Sequence, residues 1–206
     1  MEFYNSNNQI NKPNSEFYKV YDKNGKFLRT IDRKDEKSLT DEYLYGVTCF
    51  VINEKGEILM EIRANTELTP GKKDLVSGHV DGNEAPTQAM IRELQEEVGI
   101  KNVDSSQVIK ISELAKPLGF ESRGQIRKFF IDFYCLKTQK HHFTIQPEEV
   151  AGLKWIPMDE AFRMMSNGET KFPKQGKNVN YEAIFSKVRD IYLEKNPQEK
   201  KVIGEW

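Results

Sequence analysis

Gly-His-Val-Asp-Gly-Asn-Glu-Ala-Pro-Thr-Gln-Ala-Met-Ile-Arg-Glu-Leu-Gln-Glu-Glu-Val-Gly-Ile occupies residues 78–100. Asp81-Gly82-Asn83 marks a turn and a helix cap. Pro86 suits a first helical turn, and Gly99 suits a C-terminal cap. The spacing therefore predicts a helix over Glu84–Val98. At about 100° per residue, Glu93, Glu96 and Glu97 stand at i, i+3 and i+4 and share one face. Ala89 falls in the middle of that face, where its short side chain leaves room above the carboxylates. Met90, Ile91, Leu94 and Val98 form a separate apolar stripe that should face a core.

The acidic face is locally unfavourable. Glu93 and Glu97 repel each other, and all three acids crowd the helix end where the macrodipole prefers cations. No lysine or arginine follows on the helix to offset them. Most acidic helix faces are solvated surface. A place that breaks several local rules at once is often functional, and a divalent cation would reverse each penalty. Hard cations such as Mg²⁺ take carboxylate oxygens and complete their shell with water and phosphate, and Mn²⁺ favours similar ligands. The chemistry implied is metal-assisted transfer of a phosphorus group to water, with a carboxylate as base.

Outward from this segment, Phe17–Asp22 and Phe27–Asp32 alternate around Asn24-Gly25, a hairpin signal. Residues 33–42 are a charged connection. Strands are expected at Tyr45–Asn53, Glu57–Arg63, Asp74–Val80, Val108–Ala115, Lys128–Leu136 and Gly152–Ile156. Helices are expected from Pro157 through Met165, ended by Asn167-Gly168, and over Tyr181–Leu193. Short turns between several strands favour a mixed sheet packed by helices over a strict parallel array. Residues 1–15 read as a loose tail, 16–195 as one domain, and 196–206 as a charged tail.

The chain has 206 residues, of which 31% are charged and 37% hydrophobic. That is the profile of a water-soluble globular chain. A net charge of −1 gives no electrostatic case for nucleic acid or a membrane surface as partner. Cys49 and Cys135 lie in apolar strand-like runs and read as reduced core residues. No signal-type segment or apolar run of membrane-spanning length occurs, so the expected location is the cytoplasm.

Residues 78–100 resemble the Nudix box, G-x5-E-x7-R-E-U-x-E-E-x-G-U, where U is a bulky aliphatic. Gly78, Glu84, Arg92, Glu93, Leu94, Glu96, Glu97, Gly99 and Ile100 meet every specified position. Chance agreement is on the order of 10⁻⁸ per starting position. A looser similarity runs from about Phe17 to Trp155. The resemblance implies a Nudix-like α/β/α sandwich, its mixed sheet between helices and preceded by an N-terminal hairpin. It also implies a pyrophosphohydrolase of nucleoside diphosphate derivatives or similar small molecules, using Mg²⁺ or Mn²⁺. By the same resemblance Glu93, Glu96, Glu97 and the Gly78 carbonyl bind metal. Arg92 orients a catalytic glutamate, and Glu84 and Gly99 are structural in the motif. Glu93 is the first candidate to couple metal binding with base function, and Glu149 the second; ordinary loop charge is the plainer reading of Glu148 and Glu149. A homodimer is compatible with the family.

The wider chain is similar to the branch that resembles isopentenyl-diphosphate isomerase. In that enzyme a catalytic cysteine precedes the Gly-His pair; here the residue is Ser77. Serine does not easily replace a thiol in those proton transfers, so hydrolysis is favoured over isomerisation. A third reading, a Nudix fold used only to bind ligand, fits poorly with a complete set of box acids. Substrate binding is assigned to Arg63, although a strand-end surface position is the slightly stronger claim. His79 reads as structural, because imidazole suits Zn²⁺ better than Mg²⁺. His141 and His142 receive no metal. Arg123, Arg127 and Lys128 read as loop charge, and Phe120, Phe129, Phe130 and Phe133 as core.

Overall fold

β3 (Tyr43–Ile52) is the strand on which the sheet is built. It runs parallel to β9 (Gln125–Lys137), from Tyr43 opposite Lys128 to Ile52 opposite Lys137. It runs antiparallel to β6 (Val76–His79), and meets β4 (Glu57–Arg63) only at Ile52–Ile58. The computed structural model describes residues 17–65, 69–113, 118–122, 125–139, 142–176 and 180–194; the side chains of 37 and 112–126 are not described. The expected tails, Arg123 and His141 lie outside these residues, as does the side chain of Phe120.

Both faces of β3 are covered, which is why it reads as a continuous apolar run rather than an alternating one. Val47, Cys49 and Val51 meet α1 (Pro86–Glu96), through Ala89, Met90, Leu94 and the following Val98. Phe50 and Ile52 meet α2 (Met158–Asn167) and α3 (Tyr181–Glu194) on the other side. There the Phe162 and Phe185 rings stack at 4.0 Å. Each fully buried Met, Leu, Val or Phe contributes about 1.5–3 kcal/mol, so both helix layers are held firmly to the sheet. The result is an α/β/α sandwich with a mixed sheet of ten strands among the described residues. The hairpin of β1 (Phe17–Tyr21) and β2 (Phe27–Asp32) extends its edge.

Several sequence expectations need correction. α1 begins at Pro86, two residues late, and its cap is Ala85, which supplies no side-chain bond. Ala89 does not open space above the acids; it is buried in the core beside Met90. The strand expected over Asp74–Val80 is broken at Leu75 into β5 (Lys73–Asp74), paired with β4, and β6, paired with β3. The connection at 33–42 contains a 3₁₀ helix over Arg33–Ser38, capped by the Asp32 side chain. β7 (Ile109–Glu113) matches expectation, whereas β8 (Leu118–Ser122) had no sequence signal. β10 (Val150–Pro157) pairs with β4. Cys49 and Cys135 are free and buried. Phe133 is fully buried, and Phe129 and Phe130 are half-buried. Arg127 pairs with Glu36 at 2.8 Å, and Lys128 pairs with Asp41. Among the described residues no helix is long and apolar enough to cross a membrane.

Candidate active site

The break at Leu75 passes the chain from β4 to β3, so the two strands part beyond Ile52–Ile58. The C-terminal half of α1 lies against this opening. Its end is fixed by Gly99, at φ 66, where the Gly99 N–H bonds the Gln95 carbonyl at 3.1 Å and Ile100 N–H bonds the Leu94 carbonyl at 2.8 Å. This is a left-handed cap that glycine adopts without strain. A Cβ there would also stand 2.9 Å from Thr144.

Glu93 and Glu97 face inward, at 7% and 4% exposure, and Glu96 is half-buried. Gly78 lies against Glu93 so closely that a Cβ would overlap its carboxyl. Glu97 accepts a 3.1 Å bond from the Ser77 backbone N–H. Burial raises Glu93 to about 7, against the opposing pull of Arg92, and Glu96 and Glu149 add to the rise. Burial first, then the Glu61 and Glu93 charges, drive Glu97 well above the ordinary carboxylate range. Desolvation disfavours the charged form, and like charges add to it.

Arg92 organises the outer side of the site. Its Nε and one terminal nitrogen hold both Glu84 oxygens at 3.2 and 2.8 Å. The same terminal nitrogen bonds the His79 carbonyl at 2.9 Å, while the other reaches Glu93 at 2.7 Å and Glu96 at 3.3 Å. Burial works against its charge, but the Glu84 bond and the neighbouring carboxylates outweigh that and raise its pKa. The fork geometry of guanidinium is what permits four partners at once. Glu149, immediately before β10, accepts from the Gln146 amide at 3.0 Å, and its charge reaches Glu93 and Glu97.

Sequence reasoning missed the inner wall. Glu61, on β4, is 2% exposed, stands opposite Asp74 in register, and hydrogen-bonds Glu97. Burial, with the Asp74 charge added, raises it to about 8. A carboxylate inside the apolar run Ile58-Leu59-Met60-Glu61-Ile62 was a legible warning. Fully buried Asp74 is gripped by Lys171 at 2.6 Å and by Arg63 at 2.9 Å. Lys171 also bonds the Ser77 hydroxyl at 2.6 Å. Arg63 is thus no strand-end surface residue: its side chain is 14% exposed and committed to Asp74. His79 stacks on Tyr18 at 4.5 Å, and burial plus the surrounding cations push it down to about 3, so it is neutral. His142 is exposed.

The donor set is all oxygen, as a hard cation requires. The Glu61 Oε1 is buried and has no hydrogen-bond partner among the described residues. Yet among those residues no three acidic, histidine or cysteine side chains converge as a ready ligand shell. Glu93 and Glu96 turn instead to Arg92. The residues are of the kind that a divalent cation takes, and hydrogen bonds to Arg92 and Ser77 now hold oxygens of Glu93, Glu96 and Glu97.

The NUDIX domain family model matches residues 42–176, and the chain belongs to the Nudix family. Its class is that of the Nudix hydrolases, enzymes acting on diphosphate-containing substrates. It is 26% identical over 183 residues to an uncharacterised Nudix hydrolase of Clostridium acetobutylicum, covering 85% of this chain and 86% of that one. It is 25% identical over 158 residues to isopentenyl-diphosphate Delta-isomerase of Corynebacterium diphtheriae, covering 73% and 85%. The crystal structure of DR0079 from Deinococcus radiodurans matches 86% of this chain and 99% of its own, with a TM-score of 0.56 and 21% identity, a likeness of fold.

Proposed function

We propose that this protein is a divalent-metal-dependent hydrolase that cleaves a phosphoanhydride in a nucleoside diphosphate derivative or a similar diphosphate-containing small molecule. The observation that carries the reading is the packing of Glu93 and Glu97, two buried carboxyls on one helix face, beside the glycine that leaves them room. Glu93, Glu96 and Glu97, with the Gly78 carbonyl, would hold Mg²⁺ or Mn²⁺. Such an ion supplies charge neutralisation at phosphate oxygens and acidifies water.

The remaining work falls to side chains of this chain. Arg92 fixes the rotamer of Glu93 through a contact shorter than 3 Å and is itself fixed by Glu84. Glu93 and Glu149 are the groups available to take a proton from the attacking water. Arg63 is already bound to Asp74, so a substrate phosphate meeting it would join an existing ion pair. Small molecules carrying a diphosphate are the expected partners, in a cytoplasmic setting, and a homodimer fits the family.

The resemblance to the isomerase favours a second reading, in which the same opening binds isopentenyl diphosphate. The Ser77 hydroxyl weighs against it: the oxygen donates to the Leu75 carbonyl at 2.9 Å and accepts from Lys171. It is a structural node rather than a free acid.

The test is a panel of diphosphates, including ADP-ribose, dinucleoside polyphosphates, CoA and isopentenyl diphosphate, with products separated by chromatography. Hydrolysis of at least one compound is expected with Mg²⁺ or Mn²⁺ and not with EDTA, and Glu97→Gln should lower it about 100-fold or more. Undiminished turnover in EDTA overturns the reading. Appearance of dimethylallyl diphosphate, without hydrolysis, would replace it by the isomerase.

A further inference from the structure

We propose that Glu61 is an additional ligand of the cation site, contributed by the sheet and facing the helix acids. The inference rests on the reading above and names a residue outside the box spacing.

Glu61 is placed where a carboxylate is hardest to keep. Ile58 and Met60 of its strand enter one core and Leu59 the other. Glu61 follows them into the interior at 2% exposure. A buried polar atom without a partner costs a few kcal/mol, and the Glu61 Oε1 is such an atom among the described residues. The side chain also hydrogen-bonds Glu97, so it points at the helix acids and not away from them.

The neighbouring cations do not account for it. Lys171 makes its short contacts with Asp74 and Ser77, and Arg63 makes its own with Asp74. Their charge reaches Glu61 only as a longer-range effect, smaller than the combined push of burial and Asp74. Two cations thus face three interior carboxyls, Glu61, Asp74 and Glu97, before Glu93 is added. Two carboxyls meeting edge to edge must share a proton or a cation. If the hydrogen bond to Glu97 were the only task, glutamine would serve better, because its amide donates to a carboxylate without a charge to bury. An acid at this position is explained by a ligand that prefers anionic oxygen, which is a hard divalent cation.

Lys171 and Arg63 fit the same arrangement as positioning residues. Both hold Asp74, whose charge otherwise adds to that of Glu61. That leaves Glu61, with its unpartnered Oε1, facing Glu97.

The test measures Mn²⁺ uptake by the full chain, by calorimetry and by loss of the free Mn²⁺ electron paramagnetic signal, in wild type, Glu61→Gln and Glu97→Gln. Circular dichroism checks each fold. Glu61→Gln is expected to weaken Mn²⁺ binding roughly tenfold or more, with metal-free stability equal or higher. Glu61→Asp keeps the charge but withdraws its oxygens by one methylene, and should weaken binding about threefold or more. It serves as the second variant should Glu61→Gln not fold. Wild-type affinity in the folded Glu61 variants, with binding lost in Glu97→Gln, overturns this inference alone. Absence of Mn²⁺ uptake by the wild type, with or without a diphosphate ligand, overturns it together with the proposed function.

Discussion

Gly78 and Glu93 occupy one space: the backbone of the first lies where a side chain would collide with the carboxyl of the second. The contact joins β6 to α1 and sets how near the helix acids come to the sheet. A glycine whose only role was a turn would show a positive φ, and Gly78 does not. Its role here is close approach.

Gly78→Ala should therefore swing Glu93 out of the site rather than unfold the protein, because the crowded atoms belong to a flexible side chain. Stability should fall by about 1–3 kcal/mol, while hydrolysis falls about 100-fold. Gly152→Ala in β10 is the control. The nearest atom to its Cβ would be 3.7 Å away, so melting temperature and rate should stay near wild type. Calorimetry and steady-state kinetics decide the point; equal effects from both substitutions would contradict it.

Arg92→Lys should not rescue the role of Arg92. An ammonium is a single point, and it cannot bind both Glu84 oxygens while also reaching Glu93, Glu96 and the His79 carbonyl. The expected result is a drop in kcat of about 10²-fold for Arg92→Lys, close to that of Arg92→Ala, with a smaller change in KM. A lysine variant with near wild-type kcat would show that charge alone suffices.

Metal-free protein should lose stability as pH rises from about 6.5 to 8.5. Glu93 at about 7 and Glu61 at about 8 are both raised by burial above their unfolded values. A folded state that holds such protons more tightly than the unfolded chain is stabilised below the unfolded pKa. It loses that stabilisation as pH climbs through the folded pKa. His79 acts in the other direction, because it is depressed to about 3. Its contribution is present above its unfolded pKa, near 6.5, and is lost as pH falls below that. The carboxyls therefore dominate the window above 6.5. Melting temperature should fall there by about 5 °C in EDTA, and Mg²⁺ or Mn²⁺ should reverse the fall. A flat or rising profile in EDTA would contradict the burial of two protonated glutamates.

The sequence by itself determined much of what is local in the chain. The glycine-to-isoleucine spacing of residues 78–100 carries the Nudix box, the glutamate pattern on one helix, and the Gly99 cap. The apolar runs carry most strands, because a 3.6-residue or two-residue period is written in neighbours. The resemblance to the Nudix box also marked Glu84 as structural, and the structure pairs it with Arg92.

Only the tertiary structure decided what sits across from those acids. Lys171 meets Ser77 from 94 positions along the chain, and Asp74 from still further. No period or spacing carries such a contact. Glu61 looks locally like an interruption in a strand; its meaning appears only when β4 parts from β3 and turns it toward Glu97. Arg63 likewise changes from a strand-end charge to a buried partner of Asp74 once β5 folds against β4. Ala89 moves the other way, from the acidic face to the core, because a helix face is defined by what packs on it as well as by its angle. Pairings across a sheet depend on register and crossover, and those are fixed by the sum of core burial over the whole domain, which no short stretch of residues contains.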